Sequence, residues 1–349
     1  MAARHFEAAA WPAKIGMTWI DAHAHLPADH PDAERLLVEL GVRVLNISLG
    51  LDPRGDWRAN PMSGAQPYQQ LAQAGSGRFA WCTAFDPPTL GDLEKPLAFS
   101  ERIIAGLARD FAGGAVACKV WKNIGLEVKD RDGRFVMVDS PLLAPIFDYI
   151  AREDRVLILH TGEPRACWLP LDPVSPHFEY YSQHPQWHMH GKLEFPSHAE
   201  LVLARDRVLE RHPSLRVVGA HLGSLEYDVG ELEARFRRFK NFSVDTAERL
   251  LDLSLQSPDR VRAFFEAFPD RVLYGSDLLF ETAFSAMSDD ERRAALAQMR
   301  SVLEQEQAYY RNAGAVPVRG KVLQGLGLSH DTARCLFEDN ARNCYALGA

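Results

Sequence analysis

The chain has 349 residues, enough to bury a large core as two ordinary domains or as one α/β barrel with insertions. Hydrophobic residues make up 46% and charged residues 25%, an ordinary balance for a soluble enzyme, and a net charge of -8 argues against nucleic acid or an anionic membrane as the main partner. Cys82, Cys118, Cys167, Cys335 and Cys344 form no C-x-x-C pair and are odd in number, which points to free thiols; with no apolar signal segment and no run of ~18 apolar residues, a cytoplasmic protein is expected.

Residues 1–16 read as an N-terminal extension. Eight short apolar runs then follow at 17–26, 42–49, 78–85, 115–121, 155–160, 215–222, 241–246 and 271–278. They are rich in Val, Ile and Leu, as parallel strands buried on both faces are. Between them lie amphipathic stretches such as D-A-E-R-L-L-V-E-L, P-L-L-A-P-I-F-D-Y-I and S-H-A-E-L-V-L-A-R-D-R-V-L-E, which read as helices. Eight strands alternating with helices predict an α/β protein, a single (β/α)8 TIM barrel spanning 1–349 as one domain. No G-x-G-x-x-G follows the first strand to favour a doubly wound sheet. Insertions are expected after strand 5 (161–196) and strand 8 (279–330), the latter with a long helix near 289–310. No repeat, low-complexity segment or linker divides the chain.

Position carries the functional signal. His23 and His25 close the first run, His160 the fifth, His221 the sixth and Asp277 the eighth. In a barrel these C-terminal strand ends converge on the face where active sites are built. Residues two apart share a side of a strand, so His23 and His25 can both face the centre, with His160, His221 and Asp277 in matching registers. An isolated H-x-H matches often by chance, and its weight here comes from the other strand ends. Three imidazoles and a carboxylate from His23, His25, His160 and Asp277 suit one divalent cation, Zn²⁺ first.

The motifs D-A-H-A-H, L-H-T-G-E-P, G-A-H-L-G-S, L-Y-G-S-D and E-D-N-A-R-N-C-Y resemble the amidohydrolase superfamily, in its amidohydrolase-2 branch of aromatic decarboxylases and lactone hydrolases. The resemblance runs from about residue 17 to the C-terminus. It implies a barrel, a mononuclear zinc or manganese site at the same four ligands, and a catalytic histidine at His221. The branch often ends its last motif Asn-Ala-x-Arg; here Asn343 takes the fourth place and Arg342 the third.

The chemistry follows from the residue types. A bound cation can lower the pKa of water from ~16 to about 7. Asp277 can take the proton of that water and pass it to a leaving group, or serve as a ligand alone; His221 can polarise a carbonyl or hold the attacking water. Lys119, in C-K-V-W-K with Trp121, has three readings: a carbamate bridging two metals as in some superfamily members, a contact to an anionic substrate, or a structural ion pair. Glu163, Arg165 and Trp168 follow His160 closely, and Arg165 can fork onto a carboxylate or remain a solvated charge. Tyr180 and Trp187 pack the loop or stack on substrate, and Asp245 touches substrate or holds a neighbouring ligand. H-M-H at 188–190 has ligand spacing but no strand-end context. The leading expectation is a hydrolase cleaving a C–O or C–N bond of a small carboxylated compound. A non-oxidative decarboxylase on the same site is the alternative. A non-catalytic binding protein with a vestigial barrel is disfavoured by the intact ligand set. The oligomeric state stays open, a homo-oligomer included.

Overall fold

The computed structural model describes residues 19–51, 57–58, 61–74 and 76–348. The N-terminal extension expected at 1–16, and the first two residues of the first apolar run, lie outside them.

Eight parallel strands form one sheet in sequential order: β1 (Trp19–Ala24), β2 (Val42–Ile47), β3 (Phe79–Ala84), β4 (Ala117–Val120), β5 (Val156–Leu159), β6 (Arg216–Gly219), β7 (Phe242–Asp245) and β8 (Val272–Leu273). Each falls inside one of the eight apolar runs. The sheet closes from β8 to β1 through irregular bonds: Ala22 N–H to Tyr274 O at 2.8 Å, Asp277 N–H to His23 O at 2.8 Å and His25 N–H to Leu278 O at 2.7 Å. This is a TIM barrel, nearly closed, with helices outside.

Side chains alternate as the two-residue period demands. Val156 and Ile158 point into the barrel with Ile20, Ala22, Leu45, Ile47 and Val218. Leu157 and Leu159 point outward into the larger cluster shared with the helices, where Ile146, Phe147 and Phe236 pack. The same alternation turns Lys119 inward, level with Ala84 and Ile158 on the neighbouring strands. Below it the barrel is plugged by the C-terminal segment, where Ala341, Tyr345 and Leu347 join the inner cluster and Arg216 Nη1 donates to Cys344 O at 2.6 Å.

Helices start where local chemistry supplies a cap. His198–Arg211 begins at Ser197, whose hydroxyl accepts from Glu200 N–H while the Glu200 carboxylate accepts from Ser197 N–H, a reciprocal capping box. Asp289–Arg311 begins the same way with Ser288 and Glu291, and its acidic first turn suits the positive end of the helix dipole. This long helix, expected near 289–310, lies beside helix Pro31–Leu40 and is tied to it by Arg300 Nη2 to Glu39 at 2.7 Å. The segment after β8 therefore carries the eighth helix of the ring, followed by an antiparallel hairpin, Ala315–Val318 with Lys321–Gln324, which the sequence pattern did not suggest. The 161–196 excursion holds short helical turns at Arg165–Trp168, Phe178–Gln183 and Pro185–Trp187. No helix of the described residues is long and apolar enough to cross a membrane.

The plug makes a separable demand on Tyr345. Its ring is buried, while its hydroxyl has no hydrogen-bond partner among the described residues. Tyr345→Ala should therefore cost roughly 3–5 kcal/mol in urea unfolding, as large aromatic truncations do. Tyr345→Phe should leave the midpoint unchanged or raise it, because no bond is lost. Equal losses in both variants would show that the hydroxyl, not the ring, holds the plug.

Candidate active site

The polar cluster sits at the C-terminal ends of the strands. His23 belongs to β1 and His25 follows it by two residues, so both rings face the barrel axis. His160 follows Leu159 directly. His221 and Asp277, read from sequence as strand ends, lie beyond β6 and β8, where the backbone has turned left-handed at φ 58° and 59°. Such a conformation costs a non-glycine residue about 1–2 kcal/mol. Here it is held by hydrogen bonds: His221 N–H donates to Asp245 Oδ1 at 2.8 Å and Asp277 N–H to His23 O at 2.8 Å. The turns, rather than strand alternation, aim these two side chains inward.

Each of three histidines is tied at Nδ1. His23 Nδ1 pairs with Asp245 Oδ2 at 2.7 Å, His25 Nδ1 donates to Ile47 O at 2.8 Å and His221 Nδ1 to Ala247 O at 2.9 Å. The proton at Nδ1 leaves a lone pair on Nε2, the tautomer that a metal ligand or proton acceptor needs. Asp277 Oδ1 lies 3.3 Å from His23 Nε2 and 3.4 Å from His25 Nε2, and Oδ2 lies 4.0 Å from His221 Nδ1. His23, His25 and Asp277 each offer a ligand atom within 4.8 Å of the others, a group able to hold a metal ion. His160 stands outside that triplet, its ring 4.4 Å from that of His221. Its Nδ1 is buried and has no partner among the described residues. The His23, His25 and Asp277 donors fit a cation, and His160 stands next to His221 with a buried, unpartnered imidazole nitrogen.

The electrostatics agree. Burial pushes His25 below the ordinary histidine range, and His160 and His221 well below it, so the rings stay neutral and keep their lone pairs. Lys119 is fully buried in the floor, Nζ 2.7 Å from His23 Nε2 and 4.2 Å from the centroid of Trp121. Burial lowers its pKa to about 8 against the pull of Asp277 and Asp245.

The remaining candidates divide. Trp121 packs 5.6 Å from His25, inside the site. Glu163 pairs with Lys122, accepts from Tyr181 Oη at 3.2 Å, and lines the cleft of about 320 Å³ above His160, His221 and Asp277, as does half-exposed Tyr180. Asp245 lies beneath the cluster as a bridge between His23 and His221. Arg165 lies over the Tyr227 ring at 4.4 Å and lines an adjoining cavity that shares His177, Tyr181 and Asp252 with the cleft, and Trp168 donates to Pro196 O at 3.0 Å and packs on His198. Within H-M-H, His188 and His190 donate to the carbonyls of Leu169 and Trp168, which ties the loop together. Sequence reasoning passed over Lys122, next to Trp121, and Arg249, four residues past Asp245 on the exit from β7; both line the cleft.

The family model described as amidohydrolase matches residues 20–347. No curated protein sequence matches significantly. A solved structure described as an uncharacterised TIM-barrel protein from Bordetella bronchiseptica aligns with TM-score 0.50 at 14% identity, covering 95% of this chain and 99% of that one. A probable 2-pyrone-4,6-dicarboxylic acid hydrolase from Acinetobacter baumannii aligns at 0.46 and 11%, covering 95% and 100%. The 5-carboxyvanillate decarboxylase from Sphingomonas paucimobilis aligns at 0.49 and 14%, covering 94% and 98%.

The bridge through Asp245 predicts a tautomer effect. Asp245→Asn should weaken metal binding about 10–100-fold by isothermal titration with Zn²⁺, as loss of an orienting partner does. Far-UV circular dichroism should stay that of the barrel. Unchanged affinity would remove Asp245 from the support of His23.

Proposed function

The chain belongs to the amidohydrolase family, and from that premise we propose that it is a metal-dependent hydrolase cleaving a C–O or C–N bond of a small carboxylated compound. The observation that carries the reading is Asp277. One of its oxygens adjoins His23 Nε2 and His25 Nε2, and the other faces the His221 ring at the floor of an open cleft. One carboxylate is thus shared between the ligand group and the space a substrate would fill. His23, His25, His160 and Asp277 would hold a divalent ion, zinc first and manganese second, which would supply Lewis acidity able to bring the pKa of water from ~16 to about 7.

The protein's own groups supply the proton path. The Nδ1 proton of His221 is committed to Ala247 O, and its burial disfavours the imidazolium. Its Nε2 is therefore an acceptor, suited to holding the attacking water by one hydrogen rather than to polarising a carbonyl. Asp277 takes the second proton of that water and returns it to the departing oxygen or nitrogen. Along the cleft Lys122 and Arg319 pair with Glu163 and Glu248, whereas Arg249 has no paired carboxylate among the described residues and can take an anionic substrate group.

Purified protein should carry about one divalent ion per chain, and chelation should abolish turnover until the ion is restored. His160→Ala should lose both metal and turnover, whereas His221→Ala should keep the metal and lose turnover. If both lose metal equally, His221 is a ligand and not the water-holding residue. On any active compound, solvent ¹⁸O should enter a new carboxylate with no CO₂ released. Stoichiometric CO₂ with solvent deuterium on the product carbon and no ¹⁸O incorporation would make the enzyme a decarboxylase instead.

A further inference from the structure

Among the described residues, three cationic side chains border the cleft above the metal-binding group, and two of them are already neutralised. Lys122 is paired with Glu163 and lies over the Trp187 ring. Arg319 forks onto Glu248 at 2.6 and 2.8 Å and reaches Glu306 at 2.8 Å. Arg249 differs. Among the described residues its guanidinium has no carboxylate within 4 Å, and the hydrogen bond it makes runs from Nη1 to Glu248 O at 2.8 Å. Its Nε is buried without a partner, and only 8% of the residue is exposed, on a cleft it shares with His160, His221 and Asp277.

A buried guanidinium left without a close carboxylate, and with its Nε unpartnered, is costly unless something completes it. Burial acts to discharge it, but Asp252, Glu226 and Glu248 lie near enough to outweigh that and keep it protonated. None of these carboxylates comes within 4 Å of the guanidinium, whose Nη1 donates to Glu248 O while Nε stays unpartnered. The cation is thus held charged and largely dehydrated beside the reacting groups, a geometry that rewards a planar, bidentate anion. The two lysine and arginine candidates read from sequence are differently engaged: Lys119 lies in the floor against His23, and Arg165 over Tyr227 in another cavity.

We propose that Arg249 is the substrate-carboxylate subsite of this enzyme, binding a carboxylate of the substrate that is not the group being cleaved. The proposal deepens the hydrolase reading by assigning its substrate class to compounds with a free carboxylate on the β7 side of the cleft. Binding energy at this remote carboxylate positions the reacting bond over Asp277 and His221.

The test is a ¹⁹F NMR titration of the full-length purified protein, before and after chelation, with 4-fluorobenzoate and its uncharged counterpart 4-fluorobenzamide. Wild type should bind the acid more tightly than the amide. Arg249→Met should weaken the acid about tenfold or more and leave the amide unchanged, Arg249→Lys should fall between, and Arg165→Met should match wild type. Should Arg249→Met not fold, comparison with Arg249→Lys assigns the Arg249 ¹Hε resonance, which in wild type should shift with the acid and not with the amide. Undiminished affinity of Arg249→Met for the acid, or no acid preference in wild type, overturns the subsite. The titration reads binding alone. A decarboxylase outcome in the ¹⁸O experiment would leave the subsite standing, and a failed titration would leave the hydrolase reading standing without this subsite.

Discussion

The site depends on one carboxylate at the end of β7. Asp245 accepts from the backbone N–H of His221 with one oxygen and holds the His23 ring with the other. It thereby joins the exits of three strands, β1, β6 and β7, and sets both a backbone turn and an imidazole tautomer. Desolvation alone would protonate it, yet His23 and His221 keep it below the usual carboxylate range, so the acid and the groups it orients stabilise one another. Without it the left-handed turn at His221 loses a bond that offsets its strain, and His23 loses the partner that fixes its proton.

Burial gives this arrangement its chemical character. In water a histidine titrates near neutrality and a lysine well above it. In the barrel mouth desolvation keeps His25, His160 and His221 neutral and draws Lys119 down to about 8. Neutral imidazoles are ligands and proton acceptors; charged ones are neither. The apolar layer of Ile20, Ile47, Ile158 and Val218 beneath the site is therefore part of its electrostatics as well as of the barrel's packing.

The sequence made the barrel legible because strands buried on both faces must be apolar throughout, and eight such runs stand out against amphipathic helices. His23 and His25 were legible for a related reason: a spacing of two fixes a common side. His221 and Asp277 lie beside the other candidates for a reason strand alternation does not contain, since the strands end at Gly219 and Leu273 and local turns aim these two side chains. Arg249 could not be singled out. The absence of a carboxylate from its guanidinium is a fact about the positions of Glu226, Glu248 and Asp252, which the linear order of residues does not reveal. The separation of Arg165 from the cleft likewise follows from how the 161–196 segment folds back over Tyr227.

The joint between the first and last strands has a consequence of its own. β8 contributes two residues of regular ladder to β7, and its union with β1 rests on scattered backbone bonds around Ala22, His23 and His25. This seam is irregular, with no continuous ladder between its strands, and the candidate ligands straddle it, with His23 and His25 on one lip and Asp277 on the other. An ion gripped from both lips would act as a rivet. Its affinity would be expressed partly as resistance of the seam to opening, because whatever binds the closed form alone stabilises that form by mass action. Catalytic competence and mechanical closure would then be two readings of a single equilibrium.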